Sequence, residues 1–384
     1  MRIAVVVRSL KIGGMERVAV NLAESFSKNG HEAHLIYFKD KNRAFTPQNS
    51  VFLHHYDLEK GLKLTIIGLF LHIFSKLFNI LFRRTYFFWQ GLFLSPIFKY
   101  KLWRTEKTYG KFDLIIIRGH GTFEFTWPLQ DSRIIQMVES MFIQTDTKLA
   151  RFNIRCLYAN KNIACVSSGV KEKVEEVFTQ IKITAKSLHV ITNPIDIKSI
   201  QEQSQEFTPH ITNKYIVNVG RLEHNKNQPL LIDAYAYARQ YLGLTQELVL
   251  IGDGNYRERI EHQIKAYHLE NYIHLLGFQS NPYPWIKHAD LFTFTSHAEG
   301  LGYVLLESLA CQTKVVSTNG RGGIKDVMKN DLKQYLSSFD KIELANKMVS
   351  ALSDKYMIDF EKALYDFTPE VIVNRYISLY LKTK

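Results

Sequence analysis

Short apolar segments alternate with amphipathic helical segments along both halves of the chain, and this alternation constrains the fold most. Such a segment lies at residues 3–7 in the first half, and others lie at 215–219 and 247–251 in the second. Apolar strands that alternate with helices are typical of parallel sheets covered by helices. A chain of 384 residues is long enough for two domains with sizeable cores. The sequence therefore predicts an α/β protein with two parallel sheets and a central cleft between them.

The positions of these segments also suggest where the domains begin and end. We expect the first domain at residues 1–194, with an insertion of basic and aromatic residues at 60–104. The stretch 195–213 is mostly polar and is predicted to be a linker. We expect the second domain at 214–365 and a carboxyl-terminal helix at 366–384.

A glycine-rich turn between two carboxylates is the strongest functional signal. Glu299 and Glu307 would lie on roughly one side of a helix, about 12 Å apart along its axis, if the whole span were helical. Gly300 and Gly302 allow the backbone to approach a ligand closely. The N–H groups and the dipole at a helix start favour an anion. The pattern predicts a nucleotide-sugar site, and the alternative is an ordinary helix start with a solvated acid.

Two cations follow the first strand of the second half. The apolar run 215–219 ends at Gly220, Arg221 and Lys226 follow, and a helix is predicted to begin near Gln228. Open α/β sheets bind ligands at the carboxyl ends of their strands. Arginine offers a planar fork to a phosphate and lysine a point charge, so we expect both side chains to contact a diphosphate.

Taken in order, these motifs resemble the retaining glycosyltransferases of family four, also described as glycosyl transferases group 1. The second half carries V-G-R-L, a lysine, G-D-G, L-G-F, S-H-A-E-G-L-G and a second glutamate, and the first 40 residues carry a strand, a G-G loop and a helix. The resemblance covers residues 1–40 and about 113–330. It implies the GT-B fold, with two Rossmann-like domains that face a central cleft and a last helix that crosses back to the first domain.

The resemblance also implies a donor site for a nucleotide-diphosphate sugar, UDP-linked, in which Glu299 binds hexose hydroxyls and Glu307 the ribose. The residues assigned to donor binding are Gly13, Gly14, Gly220, Arg221, Lys226, Gly252, Phe278, Glu299, Gly300, Leu301, Gly302, Tyr303 and Glu307. The residues assigned to catalysis are Glu299, Arg221, Lys226 and His120.

Some positions carry weaker or divergent signals. His120 follows a predicted strand and is expected at the sugar, although a purely structural histidine is the alternative. Glu139 is a further candidate, and Asn193 precedes a proline where the family has glycine, which puts its ligand role in doubt. Gln312 and Lys314 replace a glycine and a proline of the family pattern, and Asp326 stands where a glutamate is common.

Several chemistries are disfavoured by missing motifs. The sequence has no G-x-G-x-x-G fingerprint, no Walker A motif and no D-x-D pair, so we expect no cofactor and no metal in the donor site. The three cysteines, at positions 156, 165 and 311, lack metal-ligand spacing and are expected to be free thiols.

The insertion at 60–104 contains eight Lys or Arg residues and no Asp or Glu, and it contributes to a net charge of +12. Phe70, Ile73 and Leu77 are predicted on one helical face, and Lys76 interrupts any spanning segment. We therefore expect this segment to lie on an anionic membrane surface, while a pair of core helices is the alternative and a transmembrane helix is less favoured. The residues expected at the membrane are Lys63, Lys76, Arg83, Arg84, Trp89 and Trp103.

Together these features predict a metal-independent hexosyltransferase of the bacterial cell-envelope type. Its acceptor would be a membrane-anchored glycan, such as lipopolysaccharide core or a lipid-linked oligosaccharide. The amino terminus lacks a secretory-signal pattern, so we expect a cytoplasmic protein bound peripherally to the inner face of the cell membrane. Nucleic acid is not expected as a partner, because the basic residues cluster with aromatic ones. The alternative is a non-catalytic GT-B scaffold that binds a lipid or a partner.

Overall fold

The computed structural model describes residues 1–11, 13–48, 50–60, 66–81, 86–119, 121–141 and 145–383, which form two compact units. The first unit comprises Met1–Pro194 and Pro369–Lys384, and the second comprises Ile195–Thr368. The carboxyl-terminal residues thus belong to the first unit. Each unit is built around one large parallel sheet, as the alternation of strands and helices predicts.

Seven parallel strands form the sheet of the first unit, in the order β3-β2-β1-β4-β5-β6-β7. The strands are β1 (Arg2–Ser9), β2 (Glu32–Lys39), β3 (Val51–His55), β4 (Leu114–Arg118), β5 (Ile134–Val138), β6 (Asn162–Cys165) and β7 (Ser187–Val190). All residues of β4 and β5 are buried, because helices cover both faces of the sheet. The strand order reverses between β1 and β4, where parallel sheets of this kind bind ligands.

The helices of the first unit include one from the carboxyl terminus. They are α1 (Gly14–Lys28), α2 (Ile66–Leu81), α3 (Tyr86–Tyr109), α4 (Phe123–Thr126), α5 (Lys148–Tyr158), α6 (Ser168–Ile181) and α15 (Pro369–Thr383). Helix α15 packs on α1, with the ring centroids of Phe26 and Tyr376 5.8 Å apart. This contact explains why the last helix groups with the amino-terminal sheet rather than with the residues that precede it.

The basic insertion folds into two helices with different surroundings. Helix α3 buries Phe98 and Leu102, and Gly91 leaves no room for a Cβ beside the backbone of α4, so α3 is part of the core. Helix α2 instead exposes the apolar face that its sequence predicts: Phe70 is 68% exposed and Leu77 55%. Among the described residues, none of the helices combines the length and apolarity needed to cross a membrane. The core interpretation therefore fits α3, whereas α2 leaves apolar side chains exposed.

Six parallel strands form the sheet of the second unit, in the order β10-β9-β8-β11-β13-β15. The strands are β8 (Tyr215–Val219), β9 (Glu247–Ile251), β10 (Ile273–Gly277), β11 (Leu291–Phe294), β13 (Val315–Thr318) and β15 (Leu336–Ser337). A separate pair, β12 (Ala298–Glu299) and β14 (Arg321–Gly322), runs parallel beyond this sheet. The short pair matters because it carries one of the candidate site residues.

The helices of the second unit begin inside the stretch predicted as a linker. They are α7 (Ile197–Gln203), α8 (Gln228–Tyr241), α9 (Arg257–Ala266), α10 (Tyr283–Lys287), α11 (Tyr303–Ala310), α12 (Ile324–Val327), α13 (Lys341–Ser353) and α14 (Phe360–Leu364). The linker prediction for 195–213 is therefore wrong in part. Helix α7 packs on α11, and Gln201 Nε2 donates a hydrogen bond to the carbonyl oxygen of Ala310 at 3.3 Å.

Candidate functional site

Two turns cross closely at the carboxyl edge of the second sheet. The amide of Gly220, after β8, donates to the carbonyl oxygen of Ile251, and the amide of Gly252, after β9, donates to that of Gly277. Gly252 has φ +138°, and a Cβ there would lie 1.9 Å from the carbonyl oxygen of Gly220. Only glycine fits this position, because two backbones approach each other closely at the predicted ligand edge. This explains the first glycine of the G-D-G motif.

Lys226 and Glu299 form an ion pair at this edge. Lys226 Nζ lies 2.5 Å from Glu299 Oε1, and their side chains are 18% and 17% exposed. The 3₁₀ turn His224–Lys226 presents the lysine and β12 presents the glutamate. Asn225 Nδ2 donates to the carbonyl oxygen of Ala298, and Thr295 Oγ1 donates to that of Lys226, both at 2.8 Å. The sequence analysis found both charged residues but missed these two supporting side chains, which no motif marks.

The glycine-rich turn opens a helix, but Glu299 lies outside that helix. Gly302 has φ +82° and ψ +50° and precedes α11, which begins at Tyr303. Leu301, in the turn before this helix, is buried, at 5% exposure. The span from Glu299 to Glu307 is therefore not helical throughout, because the left-handed conformation of Gly302 ends the helical geometry. Glu299 lies before the turn and Glu307 lies inside the helix.

Glu307 lies within α11, near the buried ring of Tyr283 on α10. The hydroxyl of Tyr283 donates to Glu307 Oε1 at 2.8 Å, and this ring is only 1% exposed. The carboxylate is therefore oriented by a fixed partner. The sequence analysis did not identify Tyr283, since its signal is only one aromatic residue between two prolines.

Two predicted donor residues lie largely in solvent. The side chain of Arg221 is 77% exposed and pairs with Glu223 at 3.1 Å. Phe278 follows β10 and is 69% exposed. Neither residue has a packing role that explains its type, which leaves both available to a ligand.

In the first unit, two loops meet at the carboxyl edge of the sheet. Gly14 begins α1, and Gly13 has extended backbone with its carbonyl oxygen bound to the amide of Arg17. Gly119 and Gly121, after β4, have φ +77° and +83°, and a Cβ on Gly119 would lie 2.0 Å from the sulfur of Met15. The structure thus places the loop after β4 against the start of α1. His120, predicted at the sugar, lies outside the described residues.

Glu139 and Asn193 contact a buried arginine instead of facing solvent. Arg118, at the end of β4, is fully buried and donates to Glu139 and, at 2.7 Å, to Asn193 Oδ1. Tyr376 of α15 is also buried, and burial raises the pKa of its hydroxyl. Removing one partner of a buried ion pair typically destabilises a protein by about 3–5 kcal/mol. Both candidate side chains are therefore held in a polar cluster of the first unit.

The divergent residues after Glu307 have clear local roles. Gln312 has φ +61°, and its amide and that of Thr313 donate to the carbonyl oxygens of Leu309 and Ser308, which is a Schellman motif at the end of α11. Lys314 Nζ donates to the carbonyl oxygens of Ala351 and Asp354 at the end of α13. The turn thus keeps its shape without the family's glycine and proline.

Titratable groups that bind metals are dispersed. Within the ranges that the structure describes, no three His, Cys, Asp or Glu side chains are arranged to hold a metal ion. Cys156, Cys165 and Cys311 are free thiols, and burial raises the pKa of the latter two to about 12.

The two halves of the chain match two consecutive protein-family models. Residues 12–199 match the family described as Glycosyltransferase Family 4. Residues 199–366 match the family described as Glycosyl transferases group 1.

Two proteins of Campylobacter jejuni are among the relatives. One, N-acetylgalactosamine-N,N'-diacetylbacillosaminyl-diphospho-undecaprenol 4-alpha-N-acetylgalactosaminyltransferase, is 32% identical over 212 residues, 55% of each chain. The other, GalNAc-alpha-(1->4)-GalNAc-alpha-(1->3)-diNAcBac-PP-undecaprenol alpha-1,4-N-acetyl-D-galactosaminyltransferase, is 24% identical over 376 residues, 95% of this chain and 91% of that protein. The chain thus spans about half the length of the first relative and most of the second.

A solved structure shares the fold. Anabaena HepE in complex with UDP is 19% identical, with a TM-score of 0.64 and 100% of both chains covered. Two parallel-sheet α/β units and this likeness establish a GT-B fold with two Rossmann-like domains. With consecutive family matches from residue 12 to residue 366, the chain belongs to the GT-B glycosyltransferases.

Proposed function

We propose that this protein is a retaining glycosyltransferase that moves a hexose or N-acetylhexosamine from a UDP-sugar to a membrane-anchored glycan. The observation that carries the proposal is the Lys226–Glu299 pair beside the glycine turn that opens α11. A cation and a helix start suit a diphosphate, and a carboxylate suits sugar hydroxyls. All three lie within one unit, at the sheet edge where α/β proteins bind ligands.

Each group has a role in departure of the nucleotide. Negative charge develops on the leaving diphosphate, and Lys226, Arg221 and the amides of 301–303 would balance it. Glu299 would accept hydrogen bonds from hexose hydroxyls, and Glu307, oriented by Tyr283, from the ribose. The proton of the acceptor hydroxyl would pass to the leaving phosphate, so the mechanism assigns no protein nucleophile and requires no metal in the donor site.

The acceptor is proposed from the relatives and from the surface of the first unit. Both Campylobacter jejuni relatives are named as transferases that act on undecaprenol-diphosphate glycans. Helix α2 exposes Phe70, Ile73 and Leu77 beside the exposed Lys76, a combination that suits an anionic membrane surface. We therefore propose a bacterial cell-envelope glycan, lipid-linked oligosaccharide or lipopolysaccharide core, reached by peripheral binding at the inner face of the cell membrane.

The test is a panel of labelled UDP-, GDP- and ADP-sugars with nucleotide release measured with and without a lipid-linked acceptor. We expect release from UDP-sugars, increased by the acceptor and lost in Glu299→Gln. Glu202→Gln is the matched control, because this glutamate pairs with Lys198 on the solvent-facing side of α7 and should not affect release. Failure of every donor to release nucleotide would favour the non-catalytic scaffold instead.

A further inference from the structure

Four aromatic rings lie in a row at the carboxyl edge of the second sheet. Tyr256 meets His224 edge to face at 6.0 Å, His224 stacks with His297 at 5.4 Å, and His297 stacks with Phe339 at 4.9 Å. The four residues follow β9, β8, β11 and β15, respectively. The row therefore connects four separate loops, and His297 is one of its two inner rings.

The two histidines lie in the segments that carry the ion pair. His224 begins the turn that ends at Lys226, and His297 stands two residues before Glu299. The amide of His297 donates to the carbonyl oxygen of Asn225 at 2.8 Å. With the hydrogen bonds from Asn225 Nδ2 and Thr295 Oγ1, three hydrogen bonds join these segments besides the ion pair itself.

The backbone around His297 is also fixed on its other side. The amide of Arg321 donates to the carbonyl oxygen of His297 at 2.9 Å, and that of Gly323 donates to the carbonyl oxygen of Glu299 at 3.1 Å. The His297 ring thus links this segment, which is hydrogen-bonded on two sides, to both the His224 turn and the loop of Phe339. Its loss would leave the hydrogen bonds of Asn225, Thr295 and the local backbone to hold the ion pair.

We propose that His297 is a positioning residue of the donor site, which stacks between His224 and Phe339 and thereby holds Lys226 and Glu299 in register, and does so only while unprotonated. The role as donor site rests on the proposed function, whereas the role in holding the ion pair does not. His297 itself is assigned no contact with substrate.

The charges around the stack explain the requirement for a neutral ring. Arg321 lies beside His297, His224 faces it directly, and the guanidinium of Arg259 lies over the ring of Tyr256 at 5.2 Å. The pKa of His297 is lowered, first by burial and then by His224 and Arg321. Because the packed arrangement disfavours the proton, the contribution of the stacked ring is complete above the ordinary histidine pKa and is lost as the pH falls through the lowered pKa of the folded protein.

The first experiment measures UDP affinity by calorimetry at about pH 7.5 and at about pH 5, the lower end of the range over which histidines titrate. His297→Ala should weaken binding about tenfold at the higher pH, and His297→Phe, which keeps a ring, should restore most of that loss. Wild type should lose more affinity than His297→Phe at the lower pH. The phosphate of UDP titrates in the same range, but the ratio between the two proteins cancels its effect.

The second experiment needs no nucleotide. Hydrogen exchange of peptides that contain residues 297–303 should be faster in His297→Ala than in wild type. His297→Phe should exchange as slowly as wild type at the higher pH and more slowly than wild type at the lower pH. His210→Ala is the matched control, because it also removes a histidine that contacts an aromatic ring, Trp285 at 5.1 Å, in the same unit.

The outcomes separate the two proposals. If hydrogen exchange in His297→Ala is as slow as in wild type, the positioning role is overturned. If the ratio of UDP affinities at the two pH values is the same for wild type and His297→Phe, the need for a neutral ring is overturned. If wild type binds no UDP but the exchange results hold, the proposed function fails and the positioning of Lys226 and Glu299 stands.

Discussion

Lys226 and Glu299 are 73 residues apart in the chain, yet Nζ of the lysine lies 2.5 Å from Oε1 of the glutamate. A diphosphate that binds Lys226 must therefore share the lysine's charge with a carboxylate, while the same carboxylate is needed for the sugar. Changing Glu299 should therefore affect nucleotide affinity and turnover in opposite directions, which would not be expected if Lys226 bound the phosphates without this pairing.

Glu299→Gln should bind UDP more tightly and turn over the UDP-sugar more slowly. The neutral amide no longer competes for Lys226, which is worth about 1 kcal/mol or roughly fivefold in affinity. Calorimetry with UDP and nucleotide release from the sugar donor measure the two effects. Weaker binding of UDP by this variant would contradict the assignment of Lys226 to the diphosphate.

Glu307→Gln and Arg221→Ala should each slow turnover without unfolding the protein. Loss of one preorganised transition-state contact raises the barrier by about 3 kcal/mol. Folding should survive because Arg221 is 77% exposed and the glutamine can still accept the hydrogen bond of Tyr283. Steady-state rates and thermal unfolding provide the measurements, with Glu202→Gln as the control. Near-normal turnover in both variants would remove these residues from the donor site.

Activity should persist in excess EDTA. The sequence has no D-x-D pair, and two cations are proposed to balance the diphosphate instead. Nucleotide release is measured before and after chelation. Complete loss of release, restored by Mn²⁺ or Mg²⁺, would show that a metal takes part.

The fold was predictable because its determinants are local. Buried strands such as β4 and β8 are short apolar runs, and the turns after them contain glycine. The same local reasoning failed at 195–213, where polar composition hides α7. A short helix that packs through a few side chains has little apolar periodicity, so tertiary contact with α11 decides its structure.

The site was predictable only as single residues. Motifs located Lys226 and Glu299 but not their pairing. Whether the span from Glu299 to Glu307 is helical throughout depends on the φ angle of Gly302, which spacing along the chain does not reveal. Arg118 and Glu139 meet since β4 and β5 are neighbours in the sheet, an order that spacing along the chain does not reveal.

Gln312→Gly should stabilise the protein. Gln312 adopts φ +61° in the Schellman motif of α11, a conformation that costs an L-residue about 1–2 kcal/mol. Glycine avoids this cost, but it loses about 0.5–1 kcal/mol more conformational entropy on folding. A gain of roughly 0.5–1 kcal/mol in the free energy of unfolding is expected by urea titration. Lys198→Gly, at an exposed position of helix α7, is the control, and its free energy of unfolding should fall by up to about 1 kcal/mol. Equal losses in both variants would show that the left-handed turn carries no strain.

Purified protein should sediment with liposomes rich in anionic lipid and much less with neutral ones. Helix α2 presents Phe70, Ile73 and Leu77 to solvent, and Lys76 lies beside them. Each cation near an anionic surface contributes about 1 kcal/mol, and the inserted apolar side chains add to this. High salt should weaken the binding, because exposed charges are screened.

The charge contribution is tested by replacing Lys76, Arg83 and Arg84 with glutamine, of which the two arginines lie outside the described residues. Sedimentation with anionic liposomes should fall, while donor hydrolysis without a lipid acceptor should remain. The control replaces three exposed lysines of the second unit, which changes the net charge equally; these are Lys265, Lys333 and Lys355. Equal binding to neutral and anionic liposomes would mean that attachment is purely hydrophobic. No binding to either would contradict the membrane role of α2 and leave the acceptor class open, because a membrane-bound acceptor requires the enzyme to reach the surface that carries it.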